Sequence, residues 1–313
     1  MAHAMGKKDC GIFGTPPEPF FNMKPIGMSA DLLEEWLIVL ANENQQNMSN
    51  ATHKQGYFKN GDSAEFVFLT CERLKLPPET RYLALELFDR FMVRHIQDLY
   101  EHVQNMSSKN RKQDWLVVMD RVRNQVLLRA VSCCQLASKL TSHYKVVTAR
   151  KAWTTLNEFG HRYTNDSILQ SELRVLKTLN YKVMLPSPLL YIETLLEILG
   201  HNDSSVEVKM YHGVCLKVLD VVYMCRQDVY KKLFQLATGH FETSAKERAK
   251  FATVEQDYML LAVAVIASTS YILNQTLTHR VIKNLSQITR IPNDDILDFT
   301  TVIVQMIVEG SEQ

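Results

Sequence analysis

The sequence has almost no excess of either charge: 35 basic and 34 acidic side chains leave a formal net charge of +1. That balance gives no overall electrostatic reason to expect a nucleic acid or an anionic membrane as partner. Paired cysteines are missing too. Cys10, Cys71, Cys133, Cys134, Cys215 and Cys225 show no C-x-x-C spacing and no closely spaced histidines, so they read as reduced, structural thiols. No apolar run reaches bilayer length. The longest, Tyr258 to Leu273 (YMLLAVAVIASTSYIL), is short for a span and carries Ser268, Thr269 and Ser270, which makes it a buried helix. The N-terminus shows no basic segment leading into an apolar stretch, so triplets such as Asn47 to Ser49 and Asn165 to Ser167 are not expected to be glycosylated. The phosphate loops G-x-G-x-x-G and G-x-x-x-x-G-K-S/T and the metal motif H-E-x-x-H are absent, and the ten histidines are scattered. Neither intrinsic catalysis nor a cofactor or metal is expected.

What remains is a succession of amphipathic helices. At 313 residues, 46% hydrophobic and 22% charged, the chain is a folded protein with material for one large core or two ordinary ones, two being the expectation. Residues 1–28 hold GTPPEPFFNMKPIG, whose prolines and glycines forbid long regular structure, and are expected to form a flexible tail. A helix then carries Leu32, Leu33, Trp36, Leu37 and Leu40 on one face, with Asp31 and Glu34 placed as an N-cap and its reciprocal partner. A second bears Phe66, Val67, Leu69 and Thr70 and stops before LPPET, because Pro77 and Pro78 can open a helix but not continue one. The third spans about Pro78 to His95, with Ala84, Leu87, Phe88, Phe91 and Met92 as its apolar stripe. Segment 98–125 has a polar centre and two half-helical ends, and bears Lys109, Arg111, Lys112, Arg121 and Arg123. Two readings stand: a solvated loop with ordinary surface charges, or a docking element for an acidic partner.

The next helix poses the main question. Val126, Ala130, Cys133, Ala137 and Leu140 define one face and Leu127, Val131 and Cys134 an adjoining one, so other helices must surround it. Its remaining strip, Ser132, Gln135 and Lys139, is expected to look outward or toward a partner. A similar misfit is Glu172, whose neighbours Leu169, Leu176 and Leu179 place a carboxylate on an apolar stripe where it needs a donor. Pairing Lys139 with Glu172 at the edge of a hydrophobic surface solves both problems, either as a structural ion pair or as a partner-facing one. After LPSP at 185–188 helices resume at Leu189 to Leu199, Val208 to Tyr223, Tyr258 to Leu273 and Ile296 to Val308, with a polar insertion at 237–250. LRAVSC at 128–133 echoes LLAVAV at 260–265, in keeping with tandem helical bundles meeting at MLPSP.

ETRYLALELFDRFM, LASKL and SELRVLKTLNYKVMLPSPLLYIETLL resemble, in order and helical placement, the second, third and fifth helices of a cyclin box and the start of a second box. The resemblance runs from about Glu65 to the C-terminus. It implies an all-α fold of two tandem five-helix cyclin-box bundles: a tail at 1–28, an N-terminal box with a preceding helix at 29–184 including the basic insertion 98–125, and a C-terminal box at 185–313. In cyclins the lysine of LASK and the glutamate of the fifth helix face a partner kinase and hydrogen-bond its main chain. Carried over, these are Lys139 and Glu172, with Leu176 and Leu179 offering surface to the kinase helix. Such a regulator would act by a population shift toward the active kinase.

EFVFL, QLASKL, SELRVLKTLN, LPSPLLYIETLLEILG and DYMLLAVAVIAS are most similar to a cyclin-like branch associated with crossover maturation in meiosis. That implies a nuclear regulatory or adaptor protein acting through protein contacts, with a cyclin-dependent kinase or meiotic recombination factors as partners and no membrane or direct nucleic-acid binding. Departures favour an alternative, a kinase-independent scaffold that recruits recombination or replication-clamp-loading factors. The stretch where many cell-cycle cyclins carry a substrate-docking patch reads KNGDS at 59–63, and segment 98–125 is longer than the usual connection. Asn60 replaces an arginine that would pair with Asp89, so Asp89 is expected to turn to Lys59 or water.

Overall fold

Short polar side chains set most helix starts. Ser29, Asn60, Thr148, Thr164, Asp257 and Asn274 each accept a backbone N–H from the first turn of the helix they precede, and Pro78 and Pro188 occupy first-turn positions where no N–H is needed. The computed structural model describes residues 21–22, 28–106, 110–142, 145–239 and 251–311. Its helices are α1 (Ala30–Ser49), α2 (Gly61–Arg73), α3 (Pro78–Asn105), α4 (Arg111–Arg123), α5 (Val126–Thr141), α6 (Ala149–Glu158), α7 (Asn165–Thr178), α8 (Pro188–Asn202), α9 (Val208–Met224), α10 (Arg226–Thr238), α11 (Tyr258–Leu273), α12 (Gln275–Thr289) and α13 (Asn293–Ser311). Residues 251–255 are also helical, and no strand occurs among the described residues. The expected flexible tail lies outside those residues, save 21–22 and 28.

Two helices that are apolar on most of their circumference organise the rest. Leu128 to Ser138 of α5 are buried without a break, and α2, α3, α6 and α7 surround them. In α11, Leu261 to Ser270 are buried in the same way, with α8, α9, α12 and α13 around them and α10 packed on α9 and α13. These are two bundles of five helices, the second with α10 as a sixth against its side, each built round a helix that is buried along most of its length.

The bundles share one continuous core. Tyr82 of α3 packs 5.2 Å from Tyr223 of α9, and its hydroxyl donates to Asp220 Oδ1 at 2.7 Å. Helix α1 rests on the second bundle: Trp36 Nε1 donates to Thr194 of α8, and Asn44 Nδ2 to Asp257 at the head of α11. Just upstream, the Asn22 N–H reaches both oxygens of Glu197 and the Phe21 ring lies 5.3 Å from His212.

Several local expectations change. The cap of α1 is Ser29, not Asp31, because the helix begins at Ala30, two residues before its apolar stripe. Helix α3 runs to Asn105 rather than His95, overshooting the bundle, and segment 98–125 is not an open loop. The overshoot and α4 pack as a helical hairpin, with Tyr100 edge-on to Trp115 at 5.3 Å and Val103 and Val122 buried. On α5 the strip expected to face outward faces α7: Ser132 and Gln135 are buried, Ser132 Oγ lies 2.7 Å from Ser171 Oγ, and only Lys139 reaches the surface.

Candidate functional site

Lys139 sits in the last turn of α5, where a cation complements the partial negative charge of the helix end. Thr164 fixes the phase of α7 by accepting the Ser167 N–H at 3.1 Å, and this turns Glu172 toward α5. The Lys139 ammonium donates to Glu172 Oε1. The exposures are unequal, 41% for the lysine side chain and 9% for the glutamate. The carboxylate is therefore held inside the rim and satisfied from outside by a cation that water still reaches. Such a cation retains donors for a third group, and main-chain carbonyls are what a donor-only head can bind without regard to partner sequence.

The apolar surface beside the pair differs from expectation. The buried stripe of α7 is Ile168, Ser171, Glu172 and Val175, continued by Leu179 at the cap. Leu179 thus belongs to the core and offers a partner no side-chain surface, and Leu176 is half-buried against the same core. Leu169, 50% exposed, and Leu173 form the outward ridge instead, one turn apart. The stripe is displaced because Ser171, a polar residue that the apolar pattern skips, faces α5 together with Glu172.

The basic positions fall on α4. Arg111, Lys112, Arg121 and Arg123 are all exposed, while Lys109 lies outside the described residues. Leu116, 61% exposed, stands one turn after Lys112 and two turns before Arg123, which makes an apolar point with a cation on either side along one ridge.

Asp89 turns neither to Lys59 nor to water. Its carboxylate accepts the backbone N–H groups of Gly56 at 2.8 Å and Phe58 at 2.9 Å. Burial pushes its carboxyl above the ordinary range, against the opposing pull of Lys59 and those two bonds. Lys59 is occupied elsewhere: its ammonium bonds Glu86 at 2.5 Å and the Tyr258 hydroxyl at 3.2 Å, and Glu86 also receives the hydroxyls of Tyr258 at 2.5 Å and Tyr223 at 3.1 Å. Burial would raise the Glu86 carboxyl, but Lys59 and these hydrogen bonds hold it below its usual range. No spacing signal could reveal this cluster, since its members lie on α3, α9, α11 and the turn before α2 and meet only once the two bundles dock.

Among the described residues no group of three or more His, Cys, Asp or Glu is arranged to hold a metal, and no helix is long and apolar enough to cross a membrane.

Two tandem helical bundles, each wrapped round one buried helix, with a lysine and a glutamate of the first meeting at its rim, define a cyclin-box protein. The family model for the cyclin N-terminal domain matches residues 41–184, and the chain belongs to the cyclin family. It is similar to Cyclin N-terminal domain-containing protein 1 of Mus musculus and to its namesake of Homo sapiens. Each is 35% identical over 279 residues, 88% of this chain and 84% of the relative.

Proposed function

We propose that the chain is a nuclear regulatory subunit whose first bundle receives a partner kinase through Lys139 and Glu172, in meiotic crossover formation. The observation that carries this is the asymmetry of the pair, a satisfied inner carboxylate and an outer ammonium with capacity to spare beside the exposed Leu169–Leu173 ridge. The exposed lysine is the donor, and the ridge supplies apolar area for a helix of the partner. By binding one arrangement of the kinase more tightly than the other, the subunit shifts the kinase toward it, by no more than that difference in affinity. The meiotic and nuclear setting rests on the motif resemblance set out above. The test is affinity purification of the protein from meiotic tissue, wild type against Lys139→Glu with Glu172→Lys. Loss of a cyclin-dependent kinase from the variant's partners is the expected result, and unchanged recovery rejects the reading.

A second reading, a scaffold for recombination or clamp-loading factors, is favoured by the exposed Leu116 between Lys112 and Arg123. Here Leu116→Asp strips partners from the protein while the charge reversal at 139 and 172 leaves them bound.

A further inference from the structure

Among the described residues, the buried cations Lys59 and Arg226 are matched by the carboxylates of Glu86 and Glu255, and Arg129 has no such partner. It is 7% exposed, and its hydrogen bonds go to neutral groups: Nη1 to Ser171 Oγ at 2.7 Å and Nη2 to Gln125 Oε1 at 2.6 Å. The buried Nε has no acceptor, and the guanidinium carbon lies 5.9 Å from the centre of the Phe91 ring. Neutral acceptors fix the plane of the fork without cancelling its charge, and an uncompensated buried charge is costly.

The surroundings add positive charge. Arg174 stands one turn beyond Ser171 on α7 and is exposed, and His95 of α3 stacks on Phe91 at 5.0 Å. Burial first, then the neighbouring Arg174, brings the Arg129 guanidinium down to about 10. Burial, Arg129 and Arg174 together push His95 down to about 4, so the imidazole is neutral at physiological pH. The side chains around the fork are thus Gln125 at the cap of α5, Ser132 and Cys133 from α5, Phe91 and His95 from α3, Ser171 and Arg174 from α7, and Tyr163 from the connection before α7; none is a carboxylate. Gln125, at the Nη2 end, is exposed, so the fork opens to the surface there.

We infer that Arg129 and Arg174 form a binding site for the phosphoryl group of a phosphorylated serine or threonine in a partner segment, with Arg129 Nη2 facing the opening beside Gln125 and the exposed Arg174 contributed from α7. Two guanidiniums match a dianion, and their planar forks suit phosphate oxygens. The site is a compact point and the chain carries a net charge of only +1, whereas a nucleic-acid strand needs a track of phosphate contacts. It stands on its own observation, independent of whether the partner at Lys139 is a kinase. Because Arg129 precedes Lys139 by ten positions on α5, about 15 Å along the helix, one partner could reach both.

The experiment is a titration of the full chain with inorganic phosphate and with O-phosphoserine, followed by 31P line broadening and by thermal unfolding against chloride at equal ionic strength. The expected result is saturable binding of both probes and a phosphate-specific rise in Tm. Arg174→Ala, at an exposed position, should keep the Tm measured in chloride while weakening O-phosphoserine about tenfold or more, the scale set by one lost charge-assisted bond. Arg129→Gln should do the same, and if it fails to fold, Arg174→Ala still decides. No phosphate-specific shift, or equal binding by Arg174→Ala, overturns the inference. Tighter binding of single-stranded oligothymidylate than of O-phosphoserine, with a steep salt dependence, overturns it in favour of nucleic acid.

Discussion

Two lysine–glutamate pairs of the first bundle, one at its seam with the second bundle and one at its outer rim, are put to opposite uses. Lys59 and Glu86 are both 2% exposed, and besides the ammonium the carboxylate has two tyrosine hydroxyls, both from the second bundle. Every strong donor and acceptor there is engaged within the chain, so the pair fastens one bundle to the other and has nothing left for a third party. Lys139 and Glu172 have one bond between them and an ammonium in water. Chemistry and charge are the same in both. What differs is how many donors remain unspent, and that number separates a fastening from a binding site.

The comparison is broken most directly at the inner pair. Lys59→Met leaves a carboxylate buried without its cation and should lower stability by about 3–5 kcal/mol in urea unfolding. Adding Glu86→Leu should restore a large part of that loss, since removing both charges leaves none to desolvate. A loss below about 1 kcal/mol for Lys59→Met would put the inner pair in the same class as the outer one.

A pH dependence probes the first bundle apart from both pairs. His95 is held neutral in the fold, at about 4, while the unfolded chain takes up a proton near its ordinary value of 6.5. Between those values the unfolded state binds more protons, so stability is full above 6.5 and declines as pH falls toward 4. Discounted for partial solvent access, the loss should be about 1–3 kcal/mol. His95→Phe, which keeps a ring against Phe91, should flatten that part of the stability curve relative to wild type; identical slopes would show that His95 is not the group responsible.

Gly56 tests how tightly the inner network is assembled. Its φ of +82° favours glycine, and a Cβ there would lie 2.9 Å from Arg226 Nη1, a guanidinium already bonded to Glu255. Gly56→Ala should cost about 1–3 kcal/mol through backbone strain and displacement of Arg226. A neutral substitution would mean that the turn before α2 yields easily and that Asp89, which it caps, contributes little.

Much of the fold is legible in residue order because it rests on local rules. The wide apolar sectors of α5 and α11 identify the two central helices, and Pro78 and Pro188 mark true helix starts. The pairing of Lys139 with Glu172 is legible for a similar reason, since a carboxylate on an apolar stripe needs a donor and Lys139 is a cation on the one polar strip of a helix that is otherwise mostly apolar. What is not legible depends on helix phase or on docking. A shift of one residue moves Leu179 into the core and Leu169 out of it, and a polar seam of Ser132 and Ser171 turns a strip that looks exposed into an interface. Asp89 satisfied by main-chain N–H groups, and Arg129 without a carboxylate, are outcomes of tertiary arrangement that spacing does not encode.

The smallest expected effect on stability carries the most functional weight. Lys139→Met removes an ammonium that is nearly half exposed, and Glu172 can turn part of its carboxylate to water, so unfolding should change by only about 1 kcal/mol. Partner recovery should fall far more, about tenfold or beyond, because at a closed interface the same carboxylate would be left without its donor and the partner's main chain without its bond. The order of the two readouts is therefore reversed from Lys59→Met, which should weaken the fold first and partner recovery only through it. If Lys139→Met destabilises the protein as strongly as Lys59→Met and leaves partners bound, the outer pair is a second fastening, and the proposed receiving surface must move to the Leu116 ridge of α4.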